Sequence, residues 1–194
     1  MSVQSSWRRL FPLLLAAALL ASPVAADDKT KRAELCEDDK AEAAARRSAC
    51  TAIIDDVQSS PREKADALFN RATLLDEERN FDAAIADYTA AIALNPKDSV
   101  AYLMRGNAYD SKGDKDKAIA DYGEAIRLDP NDASGYFNRA SVYQELGDKA
   151  KAVADYTKAV EIDPTHEGAK EALAELTNPA PPAQGDAAAP APAR

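Results

Sequence analysis

A unit of 34 residues recurs three times in this chain, and this period constrains the fold more than any other feature. Prolines, arginines and tyrosines each recur at this spacing: Pro96, Pro130 and Pro164; Arg71, Arg105 and Arg139; Tyr88, Tyr122 and Tyr156. A period of this length is typical of stacked units that are too small to bury their apolar faces alone. Such an array usually presents a surface to a partner and seldom houses a reaction.

Within each unit the apolar spacing predicts two helices joined by a tight turn. In the middle copy the turn is Lys112-Gly113-Asp114, where glycine suits a helix C-terminus and aspartate suits an N-cap. Asp129-Pro130 then stops the second helix. The other copies predict the same order, with inner turns at Arg79-Asn80-Phe81 and Leu146-Gly147-Asp148.

These repeats resemble the tetratricopeptide repeat family, whose helix–turn–helix unit carries bulky, small and aromatic residues at fixed offsets and a closing proline. The middle copy matches with Tyr102, Gly106, Tyr109, Ala118, Tyr122, Ala125 and Pro130; the third with Tyr136, Ala140, Tyr143, Ala152, Tyr156, Ala159 and Pro164; the first with Leu68, Ala72, Leu75, Ala84, Tyr88, Ala91 and Pro96. The resemblance implies an all-α, right-handed solenoid of helical hairpins that binds a protein or peptide on its concave face.

The sequence predicts seven segments along the chain. They are a signal peptide (1–26), a degenerate hairpin (27–60), three repeats (61–96, 97–130 and 131–164), a capping helix (165–177) and an extended Pro/Ala tail (178–194). The tail is predicted to be extended and disordered, because its composition cannot bury a core. A plain solvated tail is favoured over a spacer or a docking segment.

The N-terminal segment has the three parts of a secretory signal peptide. Arg8-Arg9 is followed by an apolar run over 10–21 and by the small-residue site Val24-Ala25-Ala26. We therefore expect a mature chain that begins at Asp27 and is periplasmic or secreted. The two arginines also fit a twin-arginine signal loosely, which leaves the export route open.

Charge and composition exclude several function classes. Removing Arg8 and Arg9 leaves 22 basic and 33 acidic side chains, a net charge of −11, which disfavours nucleic acid as a partner. After the signal peptide no apolar run is long enough to span a membrane. The chain has one histidine and lacks the glycine-rich, zinc-binding and nucleophile motifs of common enzymes. We expect a non-enzymatic protein without a cofactor or metal.

The repeated arginines depart from the family, which usually has leucine at that position. Each lies 16 residues before an aspartate, and these positions face one another in an antiparallel hairpin. The sequence therefore predicts partly buried structural ion pairs, with a ladder of arginines for an acidic ligand as the alternative. The pairs are Arg71–Asp87, Arg105–Asp121 and Arg139–Asp155.

The degenerate hairpin lacks both members of this pair and carries two cysteines. At an offset of 38, Ala49-Cys50-Thr51 aligns with Asp87-Tyr88-Thr89, and the pair positions become Ala33 and Ala49. Cys50 replaces the core tyrosine, and Cys36 falls near the core-facing end of the preceding helix. In an exported protein this arrangement predicts a Cys36–Cys50 disulfide. The less favoured alternative is that the two cysteines form a redox-active thiol pair.

After the last repeat, Thr165 is predicted to cap a helix over 167–176, and His166 is predicted to be exposed. Ala169, Ala172, Leu173 and Leu176 would cover the apolar edge of the final repeat.

The family resemblance also implies a binding face on the first helices. The residues that it places there are Phe69, Asn70, Thr73, Leu103, Met104, Asn107, Phe137, Asn138 and Ser141. Exposed apolar side chains with amides suit a peptide; alternatively, Phe69, Leu103 and Phe137 pack between helices. Some members of the family clamp a carboxylate here with lysines and arginines. This face has no lysine, and acidic residues lie near it, so the sequence disfavours that clamp. The leading hypothesis is a periplasmic interaction module; the alternative is a structural component of an envelope assembly that uses the convex face or the tail.

Overall fold

The computed structural model describes residues 23–178, with side chains described from residue 28 onward. Most of the predicted signal peptide and nearly all of the predicted tail lie outside this range. The described range contains nine helices and no strand. The helices are α1 Pro23–Glu37, α2 Ala43–Asp55, α3 Pro61–Glu77, α4 Phe81–Leu94, α5 Ser99–Lys112, α6 Lys115–Leu128, α7 Ala133–Glu145, α8 Lys149–Ile162 and α9 Glu167–Thr177.

The helices pack as four consecutive antiparallel hairpins followed by a single helix. Each helix packs against its neighbours in sequence, and the first helices α1, α3, α5 and α7 also touch one another in succession. The second helices of successive hairpins do not approach as closely within residues 28–178. The stack therefore curves towards the first helices, which form its concave side. The predicted all-α solenoid is confirmed.

Local signals set the helix boundaries. Ser60 and Glu63 form a reciprocal capping box at the start of α3, where Pro61 occupies the first turn. Asp98 and Asp132 cap α5 and α7 by accepting hydrogen bonds from backbone N–H groups. The inner turns need a left-handed residue, which is glycine in two repeats and Arg79, at φ 59°, in the first.

Each repeat buries its tyrosine against a small residue of the first helix. Tyr88, Tyr122 and Tyr156 are at most 2% exposed. Ala72 and Ala140 are also buried in the first and third repeats. In the middle repeat a Cβ on Gly106 would lie 2.7 Å from the Tyr122 ring. The backbone of α5 therefore approaches this tyrosine too closely for any side chain at position 106.

The capping helix α9 begins at Glu167, as predicted, but a different residue caps it. Its N-cap is His166, whose Nδ1 accepts a hydrogen bond of 3.2 Å from the Ala169 N–H; the prediction of Thr165 is wrong. His166 lies 34 residues after Asp132, so it takes the capping position that aspartate holds in the second and third repeats. It is half-buried rather than exposed, because its ring packs 4.5 Å from that of Phe137.

Candidate functional site

The three repeated arginines are bound within their own hairpins. In each pair the guanidinium donates from Nε and Nη2 to the two carboxylate oxygens, at 2.7–2.9 Å. The side chains of Arg105 and Asp121 are only 16% and 8% exposed. The hydrogen bond to Asp121 raises the pKa of Arg105, although burial opposes this. Two donors of each arginine are thus already used, which favours the structural role over the acidic-ligand ladder.

A third donor of the arginine reaches the preceding hairpin. Arg71 Nη1 donates to Thr51 Oγ1, and Arg105 Nη1 donates to Thr89 Oγ1, each at 3.1 Å. We call this arrangement the Arg–Asp–Thr clasp, because it joins two helices of one repeat to the second helix before them. Arg139 meets Gly123 at that position, where a Cβ would lie 3.7 Å from its Nη1. Sequence reasoning missed the clasp, although a threonine two residues after the aspartate position was visible.

The degenerate hairpin is joined by the Cys36–Cys50 disulfide instead. Both cysteines are at most 1% exposed, and Ala33 and Ala49 pack beside them. Asn70 of α3 donates a long contact of 3.9 Å to Cys36 Sγ, which links the disulfide to the first repeat. Such burial opposes attack by an external thiolate, so it argues against the redox alternative.

The apolar residues of the predicted binding face contribute to the core as well. Phe69 packs edge-on against Tyr88, and Phe137 lies against Tyr156, with ring centroids 5.6 Å apart in both cases. Met104 packs against the buried cluster that contains Tyr88, and Leu103 packs against the one that contains Tyr122 and Val142. All nine predicted face residues are half-buried. Packing between helices is therefore part of the role of each large apolar residue here, and only their remaining surface faces the groove.

Polar residues of this face form hydrogen bonds with the core tyrosines. Asn107 Oδ1 accepts from the Tyr122 hydroxyl and from Asn138 Nδ2, both at 2.9 Å. Thr73 and Tyr88 share a hydrogen bond of 3.2 Å. Burial is the main cause that raises the pKa of Tyr122, so its hydroxyl stays protonated near neutrality.

An open hollow of about 210 Å³ lies beside Asn107 and Asn138, between α5 and α7. Its lining is Asn107, Asp110, Ser111, Tyr122, Phe137, Asn138 and Ser141. Four of the nine predicted face residues therefore line one space, with ring surface from Phe137 and amide and hydroxyl groups around it. This composition can hold an extended main chain and one apolar side chain.

Asp76 and Asp110 occupy the same position in two repeats, but only Asp110 has a basic partner among the described residues. Asp110 and Glu145 both bind Lys115, at 2.6 Å each. Asp76, 34 residues before Asp110, has a buried Oδ1 that no hydrogen-bonding group of the described residues contacts. Burial, and then the charge of Glu77, raise the pKa of Asp76.

Metal binding and membrane spanning find no support within residues 23–178. No group of three or more histidine, cysteine, aspartate or glutamate side chains there could hold a metal ion. No helix in that range is both long and apolar enough to cross a membrane.

Three family models match the repeats. One described as "TPR repeat" matches residues 106–147, and two described as "Tetratricopeptide repeat" match 65–98 with 133–166, and 87–120. Together they cover residues 65–166, which is more than half of the chain. The chain is a tetratricopeptide repeat (TPR) protein.

Solved structures of similar fold come from several TPR proteins. The Arabidopsis OM64 TPR domain is 24% identical, with 60% of this chain and 97% of that one covered and a TM-score of 0.58. The first TPR of Spaghetti (RPAP3), bound to the HSP90 peptide SRMEEVD, is 23% identical over 60% and 92%, at 0.58. A MamA crystal structure is 20% identical over 78% and 81%, at 0.68. At these identities the likeness shows the shared fold. No curated protein matches the sequence.

Proposed function

We propose that this TPR protein is a non-enzymatic interaction module that binds a protein segment on the concave side formed by α1, α3, α5 and α7. The observation that carries the proposal is the hollow between α5 and α7, with its ring surface and hydrogen-bonding groups. A groove supported by packed helices is already shaped for its ligand, so binding costs little ordering of the protein. Two structural neighbours, which are TPR domains of RPAP3, are in complex with HSP90 and HSP70 peptides.

We also propose that the module acts in the periplasm after its signal peptide is removed. The support is the Arg8-Arg9, apolar and Val24-Ala25-Ala26 pattern. Removal before Asp27 would shorten α1 by four residues and leave both cysteines in place. Sequencing the N-terminus of the protein from a periplasmic fraction should give Asp27. Retention of Met1 in the membrane fraction would contradict this proposal.

Binding through the groove is tested by filling it. Ser111 lines the hollow and is exposed, so Ser111→Trp should block ligand access without breaking a hydrogen bond of the fold. Ala120→Trp is the matched control, because it adds the same side chain at an exposed position of the second helix α6. Capture of partners from periplasmic extract should fall with Ser111→Trp and persist with Ala120→Trp.

A truncated chain over 27–178 separates the groove from the tail. If capture is unchanged by Ser111→Trp but is lost on truncation, the tail carries the interaction, as in the structural-assembly alternative. If Ala120→Trp abolishes capture and Ser111→Trp does not, the convex side carries the interaction.

A further inference from the structure

Asp76 lacks the partner that its counterparts in the other repeats have. Its counterpart 34 residues later, Asp110, binds Lys115, and Gln144, a further 34 residues on, accepts a hydrogen bond of 2.9 Å from Tyr156. The residue that corresponds to Lys115 in the first repeat is Phe81. The first repeat therefore keeps the carboxylate of this position and has lost its cation.

No neighbouring basic side chain replaces that cation. Arg79 is the nearest in sequence, but its guanidinium lies over the Phe81 ring, 5.5 Å from the centroid. Arg47 of α2 binds Glu78 at 2.6 Å. The first repeat thus has uncompensated negative charge from Asp76 and Glu77, and after burial these two carboxylates contribute to raising the pKa of Tyr88 to about 12.

A partly desolvated carboxylate without a counter-charge is costly to the folded protein. Only Oδ1 of this carboxylate is buried, so a ligand cation can reach Oδ2, offset that cost and form a charge-assisted hydrogen bond. Phe69 and Met104 pack around Tyr88 in the same region, so an apolar surface adjoins the charge. The mature chain's net charge of −11 favours approach by a basic segment.

We propose that the partner is a basic protein segment, which runs from the hollow between α5 and α7 across α5 to α3 and places one lysine or arginine side chain on Asp76. This inference rests on the proposed function, because it assumes that the concave side is the binding side. It specifies a basic ligand and names Asp76 as the residue that recognises its charge.

The test is a selection of random dodecamer peptides displayed on phage, carried out on the chain over 27–194. Four forms are compared: the unaltered chain, Asp76→Asn, Asp76→Lys and the control Asp116→Asn. The control removes the same charge at an exposed position in the first turn of α6, and Asp116 does not line the hollow. The unaltered chain and the control should enrich peptides with lysine or arginine at a fixed position. Asp76→Asn should lose that preference, and Asp76→Lys should favour acidic residues instead.

A second measurement uses one selected peptide and its Lys→Gln derivative. The derivative should bind the unaltered chain about tenfold more weakly, because a charge-assisted hydrogen bond is lost. It should bind Asp76→Asn as tightly as the lysine peptide does. Melting curves establish that every variant is folded.

The outcomes separate this inference from the proposed function. If no form enriches any peptide, or if Ser111→Trp leaves peptide binding unchanged, concave-side binding is wrong and the inference falls with it. If Ser111→Trp abolishes binding but the selected peptides show no basic preference, or if Asp76→Asn keeps that preference, the inference is wrong and the proposed function stands.

Discussion

The N-terminal hairpin and the regular repeats join their two helices in different ways. In α1 and α2 the joint is the Cys36–Cys50 disulfide, with Ala33 and Ala49 beside it. In the repeats it is a buried tyrosine with an Arg–Asp pair. The hairpin that lacks one member of the ion pair also lacks the other. Their joint absence favours a structural role for the pair, since a ligand-binding arginine would not need its aspartate removed with it.

The two joints also differ in reach. A disulfide acts within one hairpin and stabilises mainly by restricting the unfolded chain. The Arg–Asp–Thr clasp acts only in the folded state, and through Thr51 and Thr89 it extends to the preceding hairpin. The disulfide therefore stabilises the N-terminal hairpin internally, whereas the clasps join each hairpin to the one before it, including the N-terminal hairpin through Thr51.

The largest expected effect comes from removing the disulfide with Cys36→Ala and Cys50→Ala together. The bridge closes a loop of about 15 residues, so its loss should cost roughly 3 kcal/mol in the chain-entropy model. Hydrogen exchange should show lost protection in α1 and α2, with α5 to α8 little changed, because solenoid contacts are between neighbours. Equal loss along the whole array would contradict the local role.

The presence of the bridge itself is checked by peptide mapping without reductant. Quantitative alkylation of both thiols in the native, oxidised protein would show that the disulfide is absent.

A double-mutant cycle of Arg105→Ala and Asp121→Ala measures how strongly the ion pair stabilises its repeat. We expect a coupling free energy of about 1 kcal/mol or more, because each single change leaves a partly buried charge without its partner. The matched control is Lys112–Asp82, a 2.6 Å pair whose side chains are 42% and 81% exposed. Its coupling should be below about 0.5 kcal/mol. Strictly additive losses in the Arg105 cycle, with folded single variants, would return the arginines to the candidate ligand-binding residues.

Gly123→Thr should restore the missing part of the clasp on Arg139. A Cβ there meets Arg139 Nη1 at an ordinary contact distance of 3.7 Å, so the hydroxyl can accept its hydrogen bond. The gain in the free energy of unfolding should be about 0.5–1 kcal/mol. Gly123→Val is the control, because valine has a similar helix propensity and no hydroxyl. An equal gain from both variants would attribute the effect to the backbone alone.

The smallest expected effect concerns Asp76, which extends the comparison to differences among the repeats. Its folded-state pKa is raised by burial and by Glu77, so its ionised form is the unfavourable one. The penalty is present above the folded-state pKa and disappears below the ordinary aspartate pKa. Asp76→Asn should therefore stabilise by about 0.5 kcal/mol or less at pH 7 and give no gain near pH 3. Urea unfolding at both pH values measures this; a destabilised variant at pH 7 would contradict it.

The fold was predictable because the 34-residue period records it directly, position by position. The same register places His166 after Asp98 and Asp132, so its capping role could have been read from spacing alone. The single preference for Thr165 as a helix cap was weaker evidence than this register. The threonines of the clasp were equally visible.

The binding face was less predictable, because the period places residues on a helix but does not say how deeply each is buried. Asn107 serves the protein's own Tyr122 and Asn138 as well as the hollow. The repeat register shows Phe81 in place of Lys115, but only the structure shows that Lys115 binds Asp110 and that Asp76 therefore lacks a partner within residues 28–178.

Gly123 has a mechanical consequence. When a stack of hairpins is pulled from its two ends, the load passes through every seam between neighbours in turn. The contacts before α3 and α5 each include an arginine–threonine hydrogen bond. The contact between α6 and α7 lacks one, because Gly123 stands where the threonine would be. Under load the helices α6 and α7 should therefore separate first, and the last repeat should detach together with the capping helix α9.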